Sequence, residues 1–167
     1  MPSHGKLVFA CLVLACLASR APAARARESA PPAVAQAPIA SNQESPSMKI
    51  RLLIDGRYLP ATLEDSAATR DFLAQLPLTL ELEDYASTEK IAQLPRTLST
   101  AGAPAGVTPA AGDITFYAPW GNLAIFHKPF GYSKGLIRLG HIDGDFQLLR
   151  RAGKMQVRIE VMDTAYP

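Results

Sequence analysis

The chain has 167 residues, of which 48% are hydrophobic and 19% charged, with a formal net charge of +2. This length favours one domain, and the apolar content excludes a wholly disordered chain. No run reaches the ~18 consecutive apolar residues that a membrane-spanning helix requires. The positive charge lies in residues 1–47, and the rest of the chain is neutral. Because a nucleic-acid-binding face needs clustered Lys and Arg on the folded part, we expect no nucleic acid partner.

Residues 1–26 have the composition of a signal peptide. Lys6 lies in a short polar start, an apolar run extends from Leu7 to Ala18, and small residues suited to cleavage follow at Ala23 and Ala26. The pattern predicts export, so we expect the mature protein in the periplasm or on the envelope membrane.

A second interpretation of the same segment is a lipoprotein signal. Val13-Leu14-Ala15-Cys16 resembles a bacterial lipobox, in which Cys16 becomes the lipidated first residue. Contact with the membrane would then be made only through this lipid anchor. Simple cleavage near Ala23 or Ala26 remains open, and if Met48 is the true start the protein is cytoplasmic.

Residues 27–47 are rich in Pro, Ala, Ser and Gln and contain no aromatic side chain. This composition is typical of a flexible linker, so we place the folded domain at residues 48–163. Both cysteines, Cys11 and Cys16, precede the domain. A disulfide, a cysteine metal ligand or a cysteine nucleophile is therefore excluded from its function.

From Met48 onward the dominant hydrophobic period is two, which indicates strands. Asp55-Gly56 is a strong signal for a two-residue hairpin turn between the first two strands. Eight strand segments are predicted, at residues 49–54, 57–63, 78–83, 90–94, 113–118, 122–128, 135–142 and 155–162. Eight short strands in about 115 residues favour a mainly β fold, a small closed antiparallel barrel, because closure removes exposed edges.

One or two short helices accompany these strands. Asp65 or Ser66 can cap a helix that Pro77 ends, and a second helical turn is predicted within residues 143–151. Residues 99–112 contain mainly Ala, Gly, Pro and Thr, which predicts a long loop without a pattern of its own. Loops of this length in a compact domain are often functional.

Motifs for catalysis or cofactor binding are weak in the domain. Gly131–Gly135 matches G-x-S-x-G, but strands flank it on both sides, whereas a hydrolase nucleophile elbow needs a strand followed by a helix. The histidines of the domain, His127 and His141, lie in no metal-binding spacing. We therefore expect neither a metal nor a cofactor, and we interpret His127 as a buried or hydrogen-bonded strand residue.

The densest feature of the domain is aromatic. Six of the twelve aromatic residues of the chain lie between positions 116 and 132. Strand alternation places Phe116 and Tyr117 on opposite faces, so both cannot be core. We predict an aromatic groove that binds a small molecule or a peptide, although rings that merely fill the barrel remain an alternative. The candidate ligand-binding residues are Phe116, Tyr117, Trp120, Asn122, Phe126 and Tyr132.

The stretch from Gly112 to Lys128, GDITFYAPWGNLAIFHK, resembles the bacterial cyclophilin-like domain family, as does the segment from Gly135 to Ile142, GLIRLGHI. The segments Thr69–Pro77 and Leu94–Arg96 fit the same family, so the resemblance covers almost all of the domain. It implies a cyclophilin-like eight-stranded barrel with one or two helices. Members of the family are mostly small proteins of unassigned function.

The name of this family raises the question of prolyl isomerase activity. True cyclophilins carry a catalytic arginine in a strand of the type F-H-R, whereas this chain has Phe126-His127-Lys128. The resemblance therefore transfers no catalytic residue, and only Arg57 or Arg96 remains as a conjectural groove arginine. We expect an exported, non-enzymatic binding protein. The alternatives are a peptidyl-prolyl isomerase that assists folding in the envelope and an interaction module of a larger envelope assembly.

Overall fold

The computed structural model of the protein describes residues 48–162. The predicted signal peptide, the linker and the lipidation residue Cys16 lie outside this range. Residues 48–162 form the following helices and strands. They are β1 (Met48–Ile54), β2 (Arg57–Leu63), α1 (Ala67–Leu73), β3 (Leu78–Tyr85), β4 (Glu89–Gln93), β5 (Gly106–Val107), β6 (Asp113–Tyr117), β7 (Asn122–Phe126), β8 (Ser133–Lys134), β9 (Leu136–Ile142), a 3-10 helix (Gln147–Arg150) and β10 (Met155–Val161).

Eight of these strands close into a barrel in the order β1-β10-β3-β4-β7-β6-β9-β2, with every neighbouring pair antiparallel. The predicted mainly β, eight-stranded antiparallel barrel is confirmed. Its first and last strands are neighbours, since Ile50 of β1 lies opposite Val161 of β10. In this order β7 is four strands away from β1, so the two strands lie on opposite sides of the barrel.

The β1–β2 hairpin follows directly from its two turn residues. Asp55 and Gly56 have φ values of 48° and 75°, and Ile54 pairs with Arg57 on either side of them. Two successive positive φ values match the right-handed twist of the strands, which is why Asp-Gly is favoured there.

Helix α1 packs one face against the barrel. Ser66 caps it by accepting a hydrogen bond on Oγ from the Thr69 backbone N–H at 3.0 Å. Ala68 and Phe72 are buried in the core, four residues apart on one face of the helix. The second predicted helical turn is the 3-10 helix, which buries Leu149. None of the helices in residues 48–162 is long and apolar enough to cross a membrane.

A second, two-stranded sheet joins β5 to β8. Its strand β5 lies within residues 99–112, which the sequence predicts to be a loop. The sequence does not predict this strand because two residues are too few to show a hydrophobic period. Val107 of β5 packs against a small hydrophobic cluster of Ala124, Phe126 and Leu136, apart from the main core. The short sheet therefore holds a chain segment against the barrel.

The barrel wall has hydrophobic side chains on both faces at β7. Leu123 and Ile125 belong to the main core, whereas Ala124 and Phe126 belong to the small cluster. All five residues of β7 are buried. Because successive side chains alternate across a strand, the small cluster lies on the outer face of the barrel. This apolar outer face forms the base of the site described next.

Candidate functional site

A cleft of about 180 Å³ opens on the outer face of the barrel. Its lining residues come from β3, β4, β6, β7, β8 and β9, from the turn between β6 and β7, and from the segment that precedes β8. They are Tyr85, Glu89, Tyr117, Trp120, Asn122, Ala124, Phe126, Phe130, Ser133 and Leu136.

Strand register brings three of these side chains into one row. Phe126 of β7 lies opposite Glu89 of β4, and Glu89 lies opposite Tyr85 of β3. Residues that are directly opposite on neighbouring antiparallel strands have Cβ atoms about 4.5–5.5 Å apart and point to the same face. The row therefore places one carboxylate between two aromatic side chains.

Three aromatic rings form one side of the cleft. The rings of Trp120 and Tyr85 are nearly perpendicular, with centroids 5.4 Å apart and an angle of 89° between the planes. The Trp120 ring meets Tyr117 in the same manner, at 5.3 Å and 81°. Both distances fall within the favourable range for edge-to-face pairs. These contacts fix the Trp120 ring even though 52% of the residue is exposed.

The turn between β6 and β7 positions Trp120. The Gly121 backbone N–H donates to the Tyr117 carbonyl at 2.9 Å, and Gly121 has a φ of 71°. A positive φ is easily adopted only by glycine, so the sequence Trp120-Gly121 allows the turn to close tightly. Tyr117 then lies opposite Asn122 in the register of the two strands.

Asn122 presents a polar group at the base of the cleft. The residue is 4% exposed, and its Nδ2 donates to the Leu123 carbonyl at 3.1 Å. Since only the amide nitrogen can donate to a carbonyl, this bond fixes the orientation of the side chain. Asn122 Oδ1 has no hydrogen-bond partner among residues 48–162. A buried acceptor without a donor costs roughly 1–3 kcal/mol.

Glu89 is the acidic residue of the cleft lining. Within the described part of the chain its carboxylate makes no hydrogen bond to a side chain and no ion pair. Burial raises the pKa of Glu89 to about 7, because the charged form loses solvation. Carboxyl groups with a shifted pKa are often found at functional sites.

The turn between β3 and β4 holds Tyr85 and Glu89 in place. Ala86 and Ser87 have φ values of 47° and 55°, and the Thr88 N–H donates to the Tyr85 carbonyl at 3.2 Å. Non-glycine residues rarely adopt positive φ, and such strain is often found at functional sites. The strained turn thus borders the row of cleft residues.

Residues 52–160 match the family model described as the cyclophilin-like family. The chain belongs to this family. No curated protein matches the chain. Among solved structures, the solution structure of a hypothetical protein from Archaeoglobus fulgidus is similar, at 15% identity and a TM-score of 0.49. The match covers 68% of this chain and 94% of that protein.

Four of the six predicted ligand-binding residues line the cleft of the cyclophilin-like domain. They are Tyr117, Trp120, Asn122 and Phe126. Phe116 instead lies in the barrel core with 0% exposure, because strand alternation turns it away from the face that carries Tyr117. Tyr132 is 62% exposed and does not line the cleft.

The remaining cleft residues of the cyclophilin-like domain are not evident from the sequence. Tyr85 and Glu89 lie more than 25 residues before the aromatic segment, and only the pairing of β4 with β7 brings them to it. Phe130 belongs to the aromatic segment and packs on Phe126, with centroids 6.2 Å apart. Ala124, Ser133 and Leu136 complete the lining.

The two arginines considered for the groove lie elsewhere. Arg57 follows the β1–β2 turn, and Arg96 donates through Nη2 to the Ala74 carbonyl at 3.1 Å. Neither lines the cleft.

The histidines of the cyclophilin-like domain lie outside the cleft lining. His127 follows the last residue of β7 and is buried, and burial lowers its pKa. The other histidine, His141, contacts the buried Asp113 carboxylate through Nδ1 at 3.1 Å. Residues 48–162 contain no group of three or more His, Cys, Asp or Glu placed to hold a metal ion.

Proposed function

We propose that this cyclophilin-like domain is a binding protein whose outer cleft takes a small ligand. The observation that carries the proposal is a concave aromatic surface with an unpartnered, buried acceptor at its base, Asn122 Oδ1. Ligand sites typically combine apolar walls with a few convergent polar groups. Trp120, Tyr117 and Phe126 supply the walls, and Asn122 supplies a polar contact that orients the ligand.

The size of the cleft favours a small molecule over an extended peptide. Its volume of about 180 Å³ lies below the ~300–1,000 Å³ of sites for drug-sized ligands. A cavity of roughly 150 Å³ is enough for one benzene molecule. The cleft therefore matches one compact chemical group, either a whole small ligand or the end of a longer one.

The alternative function, peptidyl-prolyl isomerase, is less well supported by the lining of the cleft. True cyclophilins carry a catalytic arginine, and the residues that line this cleft include no arginine. A protease-coupled assay on an X-Pro peptide separates the two functions. We expect the uncatalysed rate. A faster rate that Trp120→Ala abolishes without loss of fold would establish the isomerase instead.

Trp120 gives a direct readout of binding because it is the single tryptophan of the chain. We expect its fluorescence to shift or quench saturably with at least one member of a panel of small aromatic, aliphatic and amine compounds. Ala124→Leu should block binding, since Ala124 lines the base of the cleft and a larger side chain fills it. The matched control is Ala101→Leu at an exposed position outside the cleft. No response from any compound would contradict the proposal.

The leader motivates a proposal about location. We propose that the domain is exported and reaches the periplasm or the envelope membrane, through lipidation at Cys16 or simple cleavage near residues 23–26. The support is the apolar run of residues 7–18 and the lipobox-like segment of residues 13–16. Mass analysis of the native N-terminus tests it. Lipidated Cys16 or a start near residues 24–27 would support export, whereas Met48 as first residue would place the protein in the cytoplasm.

A further inference from the structure

The charged side chains that line the cleft are of one sign only. Its lining includes one carboxylate, Glu89, and no lysine, arginine or histidine. On the outer face of the neighbouring strand β3, Glu81 and Glu83 are both paired with Lys154, at 2.7 and 2.6 Å. Within residues 48–162 Glu89 has no such counter-ion. A ligand that enters the cleft therefore meets an uncompensated carboxylate.

The polar groups around the cleft favour a positively charged ligand. Glu89 and Asn122 Oδ1 are both acceptors, and neither has a donor among the described residues. An anionic ligand would be repelled by Glu89 and would leave Asn122 Oδ1 unsatisfied. A cation complements the Glu89 carboxylate, and a hydroxyl or N–H group on the same ligand can donate to Asn122 Oδ1.

The aromatic side chains add a second attraction for a cation. The face of an aromatic ring carries partial negative charge and attracts cations, most strongly for tryptophan. Because Trp120 is nearly perpendicular to both Tyr85 and Tyr117, the three rings form adjoining walls rather than a flat stack. Aromatic walls are a recurring way to hold an alkylated ammonium group.

From this arrangement, and resting on the proposed function, we infer that the ligand is a small organic cation. Its alkylated ammonium group lies between the Glu89 carboxylate and the rings of Tyr85, Tyr117 and Trp120. The methyl or alkyl substituents contact the apolar surface, which explains why a charged ligand enters a mostly apolar cleft. The compact volume of about 180 Å³ suits one such group.

Binding of a cation makes the affinity depend on pH through Glu89. In the empty cleft burial raises the pKa of Glu89 to about 7, so the carboxyl group is mostly neutral below that pH. Affinity should rise as the pH increases through about 7 and level off above it. The other titratable side chains of the lining are Tyr85 and Tyr117. Lys90 and His127, beside the row on β4 and β7, do not line the cleft.

The inference is tested with choline and its neutral carbon isostere, 3,3-dimethylbutan-1-ol, which has the same shape without the charge. Binding is measured by Trp120 fluorescence and by calorimetry on the folded protein at pH 8. We expect choline to saturate with a Kd on the order of 1 mM or lower and the isostere to bind at least about tenfold more weakly. Equal affinity for the two, or no saturation with choline up to about 50 mM, would overturn it.

Two variants connect the charge preference to the cleft. Glu89→Gln should weaken choline binding about tenfold, remove its pH dependence and leave the affinity for the isostere unchanged. Glu64→Gln makes the same charge change at an exposed position outside the cleft and should have no effect. Unchanged choline affinity in folded Glu89→Gln would contradict the assignment.

The outcomes for the two proposals are distinguishable. If the isostere or another neutral compound binds as well as choline and Ala124→Leu blocks both, the cleft is a binding site but not one selective for cations. If neither choline nor any other compound binds, both the proposed binding function and the proposed selectivity for cations are wrong.

Discussion

Glu89 and Lys90 are consecutive residues of β4 that place opposite charges on opposite faces of one strand. Lys90 is fully buried, and its Nζ donates to the carbonyls of Arg151 and Gly153 at 2.8 and 2.7 Å and contacts Asp84 at 2.5 Å. Glu89 lines the outer cleft, without a counter-ion in residues 48–162. One step along the strand thus separates a charge that holds the barrel together from a charge that is available to a ligand.

The raised pKa of Glu89 predicts a pH-dependent effect of Glu89→Gln on stability. Between about pH 4.5 and 7 the carboxyl group ionises in the unfolded chain but stays protonated in the fold, so the wild type loses stability as the pH rises. Glutamine does not titrate. We expect the variant to match the wild type at about pH 4 and to exceed it by about 1–2 kcal/mol at pH 8, a value discounted for solvent screening.

Urea denaturation of both proteins at the two pH values measures this difference. Glu64→Gln is the control, since Glu64 is exposed and should show no such divergence. An equal free energy of unfolding for Glu89→Gln and the wild type at both pH values would rule out a buried, destabilised carboxylate.

Lys90→Met should lower the free energy of unfolding by about 2–4 kcal/mol. Methionine fills similar space but leaves two carbonyl groups without a donor and Asp84 without its counter-ion. Lys49→Met is the comparison, because Lys49 is paired with Asp143 but its side chain is 41% exposed. Such a surface pair is worth about 1 kcal/mol or less. Similar losses from both substitutions in urea would contradict a structural role for buried Lys90.

Gly140→Ala should destabilise the barrel where β9 pairs with β2. A Cβ on Gly140 would clash with the Thr62 carbonyl oxygen and with the Leu63 backbone, so the strands must separate. We expect a loss of about 2–4 kcal/mol, measured by thermal or urea unfolding. Gly131→Ala is the matched control, since its Cβ meets nothing within 4 Å. A well-tolerated alanine at position 140 would show that this strand contact is looser than the structure indicates.

Trp120 and Tyr132 are both exposed aromatic residues that the sequence places in one groove, but only Trp120 lines the cleft. Trp120→Leu should weaken choline binding about tenfold through loss of the cation–ring contact. Tyr132→Leu should leave the affinity unchanged. Calorimetry measures both, because the first variant lacks the fluorescent residue. Equal weakening by the two substitutions would place the ligand outside the cleft.

Local signals explain why the barrel is predictable from the sequence. The alternation of Leu78, Leu80 and Leu82 with polar residues marks β3, and Asp55-Gly56 marks the first hairpin. Both depend only on neighbours in the chain. The strands β5 and β8 are not predictable from the sequence, because two residues are too few to show an alternation of apolar and polar side chains.

The site is less predictable than the fold because its parts meet through non-local pairing. Alternation establishes that Phe116 and Tyr117 face opposite sides, but it does not decide which side is the core. Glu89, which gives the cleft its charge, belongs to a short strand with no unusual composition. Glu89 lies opposite Phe126 only because β4 pairs with β7.

The barrel closes by pairing β1 with β10, so Met48 and Met162 lie close together in the wall, where the Met162 N–H donates to the Lys49 carbonyl at 2.9 Å. That wall lies opposite β7, the strand whose outer face forms the base of the cleft. Met48 and Met162 therefore lie on the side of the barrel remote from the cleft. A flat surface placed against the β1–β10 wall would leave the cleft open to the solution.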